Sequence, residues 1–314
     1  MAYAYLTLLD IAKMNGSDRT VGLVEENLNA APELEVLPAR MIAGTNFKTI
    51  VRTAYPTTAF RQINQGVEPT KSTYVNKTFE TFYYDGQMEV DNAIAAADEQ
   101  GPAHALSMEE SGHGRAFLLL GGAQVWYGQG TGGDANGFPG AVSLVDSSLV
   151  IDAGGTTAST GSSIYAICAA PSMFEILLGN NTVLNVGEWR KQTITRSSKE
   201  MTAWKNSLEG YIGAAFYSKY AVGRIKKLTA DSGKGLTDSL MAQLIAAFPV
   251  GVKPTHFFMS RRSRQQLQIS RTVTLQGNGT VRPNQATVAP VPTEYDGIPI
   301  IATDSILNTE SLTL

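Results

Sequence analysis

A chain of 314 residues is long enough for one large domain or two modest ones, each with its own core. Its formal charge of -3 and charged fraction of 17% leave much of the surface to Thr, Ser, Asn, Gln and Gly, and such weak self-repulsion suits a protein that packs against copies of itself. The lone Cys168 excludes an internal disulfide, no Cys/His spacing resembles a zinc site, and no stretch approaches the roughly 18 apolar residues of a membrane span.

The opening MAYAYLTLLDIAKMNGSDR has a short apolar run without a basic region before it or a cleavage site after it, so no signal peptide is expected. Leu6, Leu9 and Met14 predict a short helix, residues 21–29 a second, and APELEVLPAR an extended stretch marked by proline. Residues 1–45 thus read as an arm. Lys13, Arg19 and Arg40 face Asp10, Asp18, Glu25, Glu26, Glu33 and Glu35 in it, so it is acidic and lacks the cations that release counterions from nucleic acid.

FKTIVRTAY at 47–55 and STYVNKTFETFYYDGQMEV at 72–90 are β-branched, aromatic and near-alternating, which predicts two strands. AFRQINQGVEPTKS between them, with Gly66 and Pro69, has turn chemistry, so residues 46–91 read as a long β-hairpin. Arms of about 16 residues at about 3.3 Å each reach roughly 50 Å, further than a compact domain requires. A two-stranded ribbon is marginal alone in water, and Phe60, Tyr74, Phe79, Phe82, Tyr83 and Tyr84 would leave apolar surface wet, so the hairpin needs a partner. Lys48, Arg52, Arg61, Lys71 and Lys77 balance Glu68, Glu80, Asp85, Glu89 and Asp91, which suits register-setting contacts with another copy. The alternative, that both strands join the molecule's own sheet, stays open on pattern alone.

Residues 103–127 predict a helix that stops before the glycine-rich GQGTGGDANGFPG. Gly112, Gly114, Gly121 and Gly122 each cost it about 1 kcal/mol against Ala, so packing must hold it, and close approach to a sheet would explain them. From 143 to 228 the chain is strand-like: SLVID, SIYAICAA, TVLNV, QTITR and a long YIGAAFYSKYAVGRIKKL. Thr237 is the expected N-cap of a helix whose apolar face is Leu240, Met241, Leu244, Ile245 and Phe248, and Pro249 ends it. A further helix is expected from 261 to about 269, and YDGIPIIATDSIL closes the chain as a buried strand after an Asp-Gly turn.

Catalysis needs a nucleophile, a base and an orienting group, or a metal set. His104 and His113 do not share a helix face, His256 stands apart, and no serine occupies a nucleophile elbow. Cys168 lies in an apolar strand without a basic neighbour and is expected to be buried and inert. Gly128, Gly130, Gly132 and Gly133 follow a helix and lack phosphate-loop spacing, so a flexible connector is expected; SGKGLT lacks the earlier glycine and the hydroxyl residue after Lys234. Arg261, Arg264 and Arg271 could share one helix face as a basic patch toward DNA or an acidic neighbour. No enzyme, cofactor or metal is expected.

The stretch LEVLPARMIAGTNFKTIVRTAYPTTAFRQINQGVEPTKSTY resembles the arm-to-hairpin region of tailed-bacteriophage major capsid proteins of the short-tailed-phage type. EGYIGAAFYSKYAVGRIKKL is similar to their long strand with a basic or polar end, and EYDGIPIIATDSILNTES to their C-terminal strand. The resemblance implies the α+β Hong Kong 97 capsid fold: an N-terminal arm (1–45), an extended loop (46–91), a peripheral domain (92–228) with a spine helix near 103–127 and a long sheet, and an axial domain (229–314). It also implies pentamers and hexamers that form an icosahedral virion shell around double-stranded DNA, assembled in the bacterial cytoplasm without sequence-specific DNA binding and without a membrane. Lys48, Arg52, Arg61, Glu68, Lys71, Tyr74 and Lys77 are then the expected inter-subunit contacts of the loop. Portal and separate scaffolding proteins are implied partners, the latter because no long charged helical segment precedes the arm, and a decoration protein is a candidate. Lys71 and Lys77 lie where some relatives crosslink, but no motif marks the Asn. Rival readings are an encapsulin-like compartment, a tail or cement protein, and a β-rich hydrolase.

Overall fold

The computed structural model describes residues 5–15, 25–182, 184–196, 198–277 and 288–313. Helix α1 (Leu8–Met14) begins at Thr7 with a capping box: the Thr7 Oγ1 accepts from the Asp10 N–H at 3.3 Å and the Thr7 N–H donates to Asp10 Oδ2 at 3.0 Å. It buries Ile11 and leaves Leu8 and Leu9 exposed, so its docking face differs from the one the leucine spacing predicts. Of the helix expected over 21–29, residues 21–24 lie outside the described residues and 25–29 are not helical. The arm continues through one helical turn, α2 (Glu33–Val36), to strand β1 (Ala39–Met41).

Strands β2 (Asn46–Ala54) and β3 (Thr73–Glu80) pair antiparallel, from Asn46 opposite Glu80 to Ala54 opposite Thr73, as a separate two-stranded sheet. The second half of the expected ribbon takes another path. Beyond Thr81, strand β4 (Phe82–Asp91) pairs along the 18-residue β10 (Lys199–Phe216), from Phe82 opposite Ile212 to Asp91 opposite Ala203, and buries Met88 and Val90. The free limb is therefore 46–80, not 46–91. Alternation persists across Thr81 in either arrangement, and a period of two carries no information on which strand lies alongside.

After the turn α3 (Asn92–Ala95), the long helix α4 (Pro102–Tyr127) starts with proline in its first turn and ends where Gly128 adopts φ 56°. Its middle glycines work differently from the expected sheet approach. Gly121 faces Leu34, Gly122 faces Glu33 and Ser305, and Gly112 and Gly114 face open space, so the arm rather than a sheet uses the close approach. The glycine-rich stretch that follows is packed rather than a flexible connector. The Gln124 amide donates to the carbonyls of Asp134 (3.1 Å) and Phe138 (2.8 Å) and accepts from the Asp134 N–H (2.7 Å), while a methyl on Gly128 would strike the backbone of Gly140.

A short helix α5 (Ala141–Leu144) leads to β5 (Val150–Asp152), β6 (Ser162–Ile167), β7 (Phe174–Leu178), β8 (Asn185–Val186), β9 (Arg190–Arg196), β10 and β11 (Val222–Leu228). The expected long strand YIGAAFYSKYAVGRIKKL is two: its first part ends β10, its last part is β11, and they lie in different sheets. One sheet has the path β1-β7-β10-β4 with β8 and β9 also on β10. The other has the order β13-β14-β12-β6-β11-β5 and is completed by β12 (His256–Met259), β13 (Glu294–Tyr295) and β14 (Ile298–Ala302). A boundary at 228 thus cuts through hydrogen-bonded strands, because β5, β6 and β11 share the sheet of the C-terminal region. Every residue of the central β6 is buried, as expected for a strand covered on both faces.

Helix α6 (Asp238–Ala247) is capped by Thr237, whose side chain accepts from the Leu240 N–H, and it buries Met241 and Leu244 against the second sheet; α7 (Arg261–Gly277) runs further than the sequence predicts. The turn into β14 places Asp296 at φ 51° and Gly297 at φ 70°, the hairpin geometry that Asp-Gly favours. Cys168 is buried just after β6, and desolvation pushes its thiol up to about 11. At about pH 8 a thiol reagent is expected to leave the native chain unmodified and to label it fully in denaturant; rapid native labelling would contradict the burial.

Two buried carboxylates from opposite ends of the chain hold the last residues of α4. The Trp126 indole N–H donates to Glu33 Oε1 at 3.2 Å, and Thr303 Oγ1 donates to Glu33 Oε2 at 2.8 Å. The Tyr127 hydroxyl donates to Glu310 Oε1 at 2.6 Å, where Glu310 also meets Ser163 and Arg224. Burial raises the Glu33 carboxyl above its usual range, opposed by its hydrogen bonds. An acid raised in the folded chain adds stability that is fully present below its unfolded value of 4.5 and is lost as pH rises through the folded value. Glu33→Gln is therefore expected to gain thermal stability relative to the parent as the pH is raised from about 4 to about 8, and a constant difference between the two melting curves would contradict this.

Candidate assembly interface

Among the described residues, exposed apolar side chains concentrate on the limb. Ile50, Tyr55, Phe60, Ile63, Val67, Tyr74 and Val75 are all exposed, Phe60 and Ile63 completely or nearly so at 108% and 91%. A ribbon of two strands has no inner face against which to bury Ile50, Tyr74 and Val75, and Tyr55, Phe60, Ile63 and Val67 lie in the segment that connects the strands. The limb nevertheless has internal order. A register shift between Arg52 and Ala54 lets Arg52 sit near the Tyr55 and Tyr74 rings at 5.5 and 5.4 Å, and its Nη2 donates to the Tyr74 hydroxyl at 3.3 Å. Hydrogen bonding with Ser72 and then the Arg52 guanidinium hold the Tyr74 hydroxyl below its ordinary range. At the tip, Arg61 donates to the Gln65 carbonyl at 2.8 Å around Asn64, whose φ is 68°, and the Thr70 hydroxyl donates to the Thr57 carbonyl at 2.8 Å.

The expected contact residues divide into two groups. Lys48, Glu68 and Lys71 are exposed and make no ion pair among the described residues, and Arg52, Arg61 and Tyr74 are exposed but tied within the limb. Lys77 is spent inside its own chain: its Nζ donates to the Tyr217 carbonyl at 3.0 Å where the limb meets the body. Charge balance drew attention to the lysines and arginines and passed over Ile50, Tyr55, Ile63 and Val67. The signal for these was available, since apolar residues recur through a segment otherwise composed for turns.

The three arginines of α7 do not form one free patch. Arg271 makes a fork with Asp238, Nη2 to Oδ1 at 2.7 Å and Nε to Oδ2 at 2.9 Å, while Arg261 and Arg264 have no ion pair among the described residues. Arg262 turns inward and donates to the carbonyls of Thr160, Leu228 and Asn308. The histidines remain apart: His104 Nδ1 lies 2.9 Å from Asp98 Oδ2, and His256 Nδ1 lies 3.0 Å from Thr255 Oγ1. Among the described residues no group of His, Cys, Asp and Glu has a metal-binding arrangement, and no helix is long and apolar enough to cross a membrane.

A family model described as Major capsid protein GP7 matches residues 35–313. The bacteriophage Epsilon15 structure superposes with a TM-score of 0.71 at 18% identity, covering 99% of this chain and 98% of that one. The capsid of bacteriophage JBD30 gives a TM-score of 0.50 at 10% identity over 96% and 99%, and that of Myoviridae phage XM1 gives 0.50 at 10% over 68% and 97%. These likenesses show the α+β Hong Kong 97 capsid fold. No curated protein matches the chain in sequence.

Proposed function

The chain belongs to the family of the major capsid protein GP7, and from that premise we propose that its copies join as pentamers and hexamers into an icosahedral shell enclosing the double-stranded DNA of a tailed phage. The observation that carries this reading is the limb 46–80, which displays its apolar residues beyond any surface of its own chain. Burying such residues on another copy removes roughly 25 cal/mol of unfavourable free energy per Å² of apolar surface. A limb on one part of the molecule and its receiving surface on another form a head-to-tail contact, which closes into rings when the rotation permits. Lys48, Arg52, Arg61, Glu68, Lys71 and Tyr74 then supply the polar rim that sets register in that contact, and Lys77 helps hold the base of the limb.

The DNA is held by enclosure rather than by sequence-specific contacts, consistent with an acidic arm and a net charge of -3. The role is structural rather than catalytic, and assembly takes place in the host cytoplasm. Portal, separate scaffolding and decoration proteins are the partners that the capsid resemblance implies. Arg261 and Arg264 are the cations of α7 left available for a phosphate or an acidic neighbour.

Electron microscopy of the chain expressed in bacteria together with the phage's other assembly proteins tests the reading. Closed shells with five- and six-membered clusters are expected, and shells from infected cells should protect double-stranded DNA from nuclease. Monomers at high concentration, tubes, or shells filled with enzyme instead of nucleic acid would overturn it.

A further inference from the structure

Both strands of the limb leave the body through one compact joint. On the incoming side, the carbonyls of Ile42 and Gly44 accept from the N–H groups of Asn181 and Asn180 at 2.8 and 3.0 Å, and the Ile42 N–H donates to the Leu178 carbonyl at 2.9 Å. On the outgoing side, the buried Thr81 donates its N–H and its hydroxyl to the Thr45 carbonyl at 2.8 and 2.9 Å, tying the strands together where they part. Two glycines seat this crossing. A Cβ on Gly213 would lie 2.5 Å from the Glu80 carbonyl oxygen and 3.2 Å from Thr81 Cα, and one on Gly179 would lie 2.6 Å from Thr81 Oγ1. Above them Phe47 and Phe79, one from each strand, pack on Tyr217 with centroid distances of 5.9 and 5.0 Å and on each other at 5.5 Å. The Tyr217 hydroxyl donates to Glu175 Oε2 at 2.7 Å, its carbonyl accepts from Lys77, and Arg40 lies 5.3 Å from the Phe47 ring centroid.

We infer that this joint is a fixed elbow that sets the direction of the limb, and that Gly179, Gly213, Phe47, Phe79 and Tyr217 are positioning residues that determine the curvature of the assembled shell. Ordered hydrogen bonds reach both strands at the base, whereas residues 52–71 are exposed throughout, so the rigid part of the limb is its root. A change of a few degrees at the root moves a distant tip by several ångströms, enough to misplace a contact without touching it. The inference rests on the reading that the limb docks on another copy.

Phe79→Leu, Lys77→Met and Gly213→Ala test it beside the tip variant Phe60→Ser/Ile63→Ser, with unfolding of the unassembled chain and particle diameter by electron microscopy as separate readouts. Phe79→Leu and Lys77→Met are expected to fold yet to give about tenfold fewer particles of the parent diameter, the remainder having other diameters or open edges. Gly213→Ala should shift the diameter further, and Phe79→Tyr should restore it. Lys77 is only half-buried and its loss leaves the core intact, so this variant keeps the test decisive if a bulkier change prevents folding. Shells of parent diameter and yield from Phe79→Leu and Lys77→Met, with weakened assembly by the tip variant, would overturn the elbow alone. Normal assembly by the tip variant would overturn the docking reading and the elbow with it.

Discussion

Glu310→Ala is expected to destabilise the unassembled chain by about 3–5 kcal/mol, the cost of leaving a buried charge without its partner. Arg224 and Glu310 are 3% and 4% exposed and their Nη2 and Oε2 lie 3.4 Å apart. The carboxylate also accepts from Ser163 Oγ at 2.5 Å and from the Tyr127 hydroxyl at 2.6 Å, while Ser163 Oγ accepts from Arg224 Nε and Nη2 at 3.0 and 2.9 Å. Alanine therefore strands a guanidinium and at least two donors together. The loss should spread beyond the pair, because paired backbone bonds between Glu310 and Gly161 dock the C-terminal segment, and the Leu307 N–H donates to the Tyr127 oxygen. Urea unfolding is the measurement, with the midpoint falling at an unchanged slope. Removing Arg224 as well, as Arg224→Met with Glu310→Ala, should cost at least about 1 kcal/mol less than the sum of the single changes, since residues of one network couple. A Glu310→Ala chain within about 1 kcal/mol of the parent would show that the buried network is not what holds the second sheet and the C-terminal segment to α4.

Phe60→Ser combined with Ile63→Ser should do the reverse, leaving the folded chain intact and weakening its assembly. Both side chains are uncovered in the isolated molecule, so its unfolding midpoint should move by no more than about 0.5 kcal/mol in free-energy terms. In the shell, full burial of each is worth about 1.5–3 kcal/mol. Together they should raise the concentration needed for shell formation by roughly two to four decades. Light scattering with sedimentation measures that threshold, and an unchanged threshold would remove the limb from the assembly contact. The two experiments separate the interactions that build the subunit from those that join subunits.

The elements readable in advance are those specified locally. Helix α4 follows from the glycine-rich stretch that ends it at Gly128, α6 from Thr237 and Pro249, and the last hairpin from Asp296-Gly297, because capping, ring closure and left-handed backbone are properties of a few adjacent residues. Strand β7 is not legible in this way. PSMFEILL is a short apolar run with little alternation because it is buried on both faces, so periodicity does not identify it. The joining of β10 and β11 into one expected strand has a similar cause, since the turn at 217–221 lacks glycine and proline.

By itself the sequence determined the kinds of element, the apolar excess of the 46–80 segment and the thin charge that suits a self-associating chain. Only the tertiary structure decided that β4 joins the body while β3 stays out, that Lys77 serves the elbow, that Arg271 is taken by Asp238, and that Glu33 and Glu310 become buried clamps. The physical reason is one of range. Alternation, caps and turns are written in neighbouring residues, whereas the partner of a strand edge or a carboxylate lies tens to hundreds of positions away and is settled only when packing brings the two together.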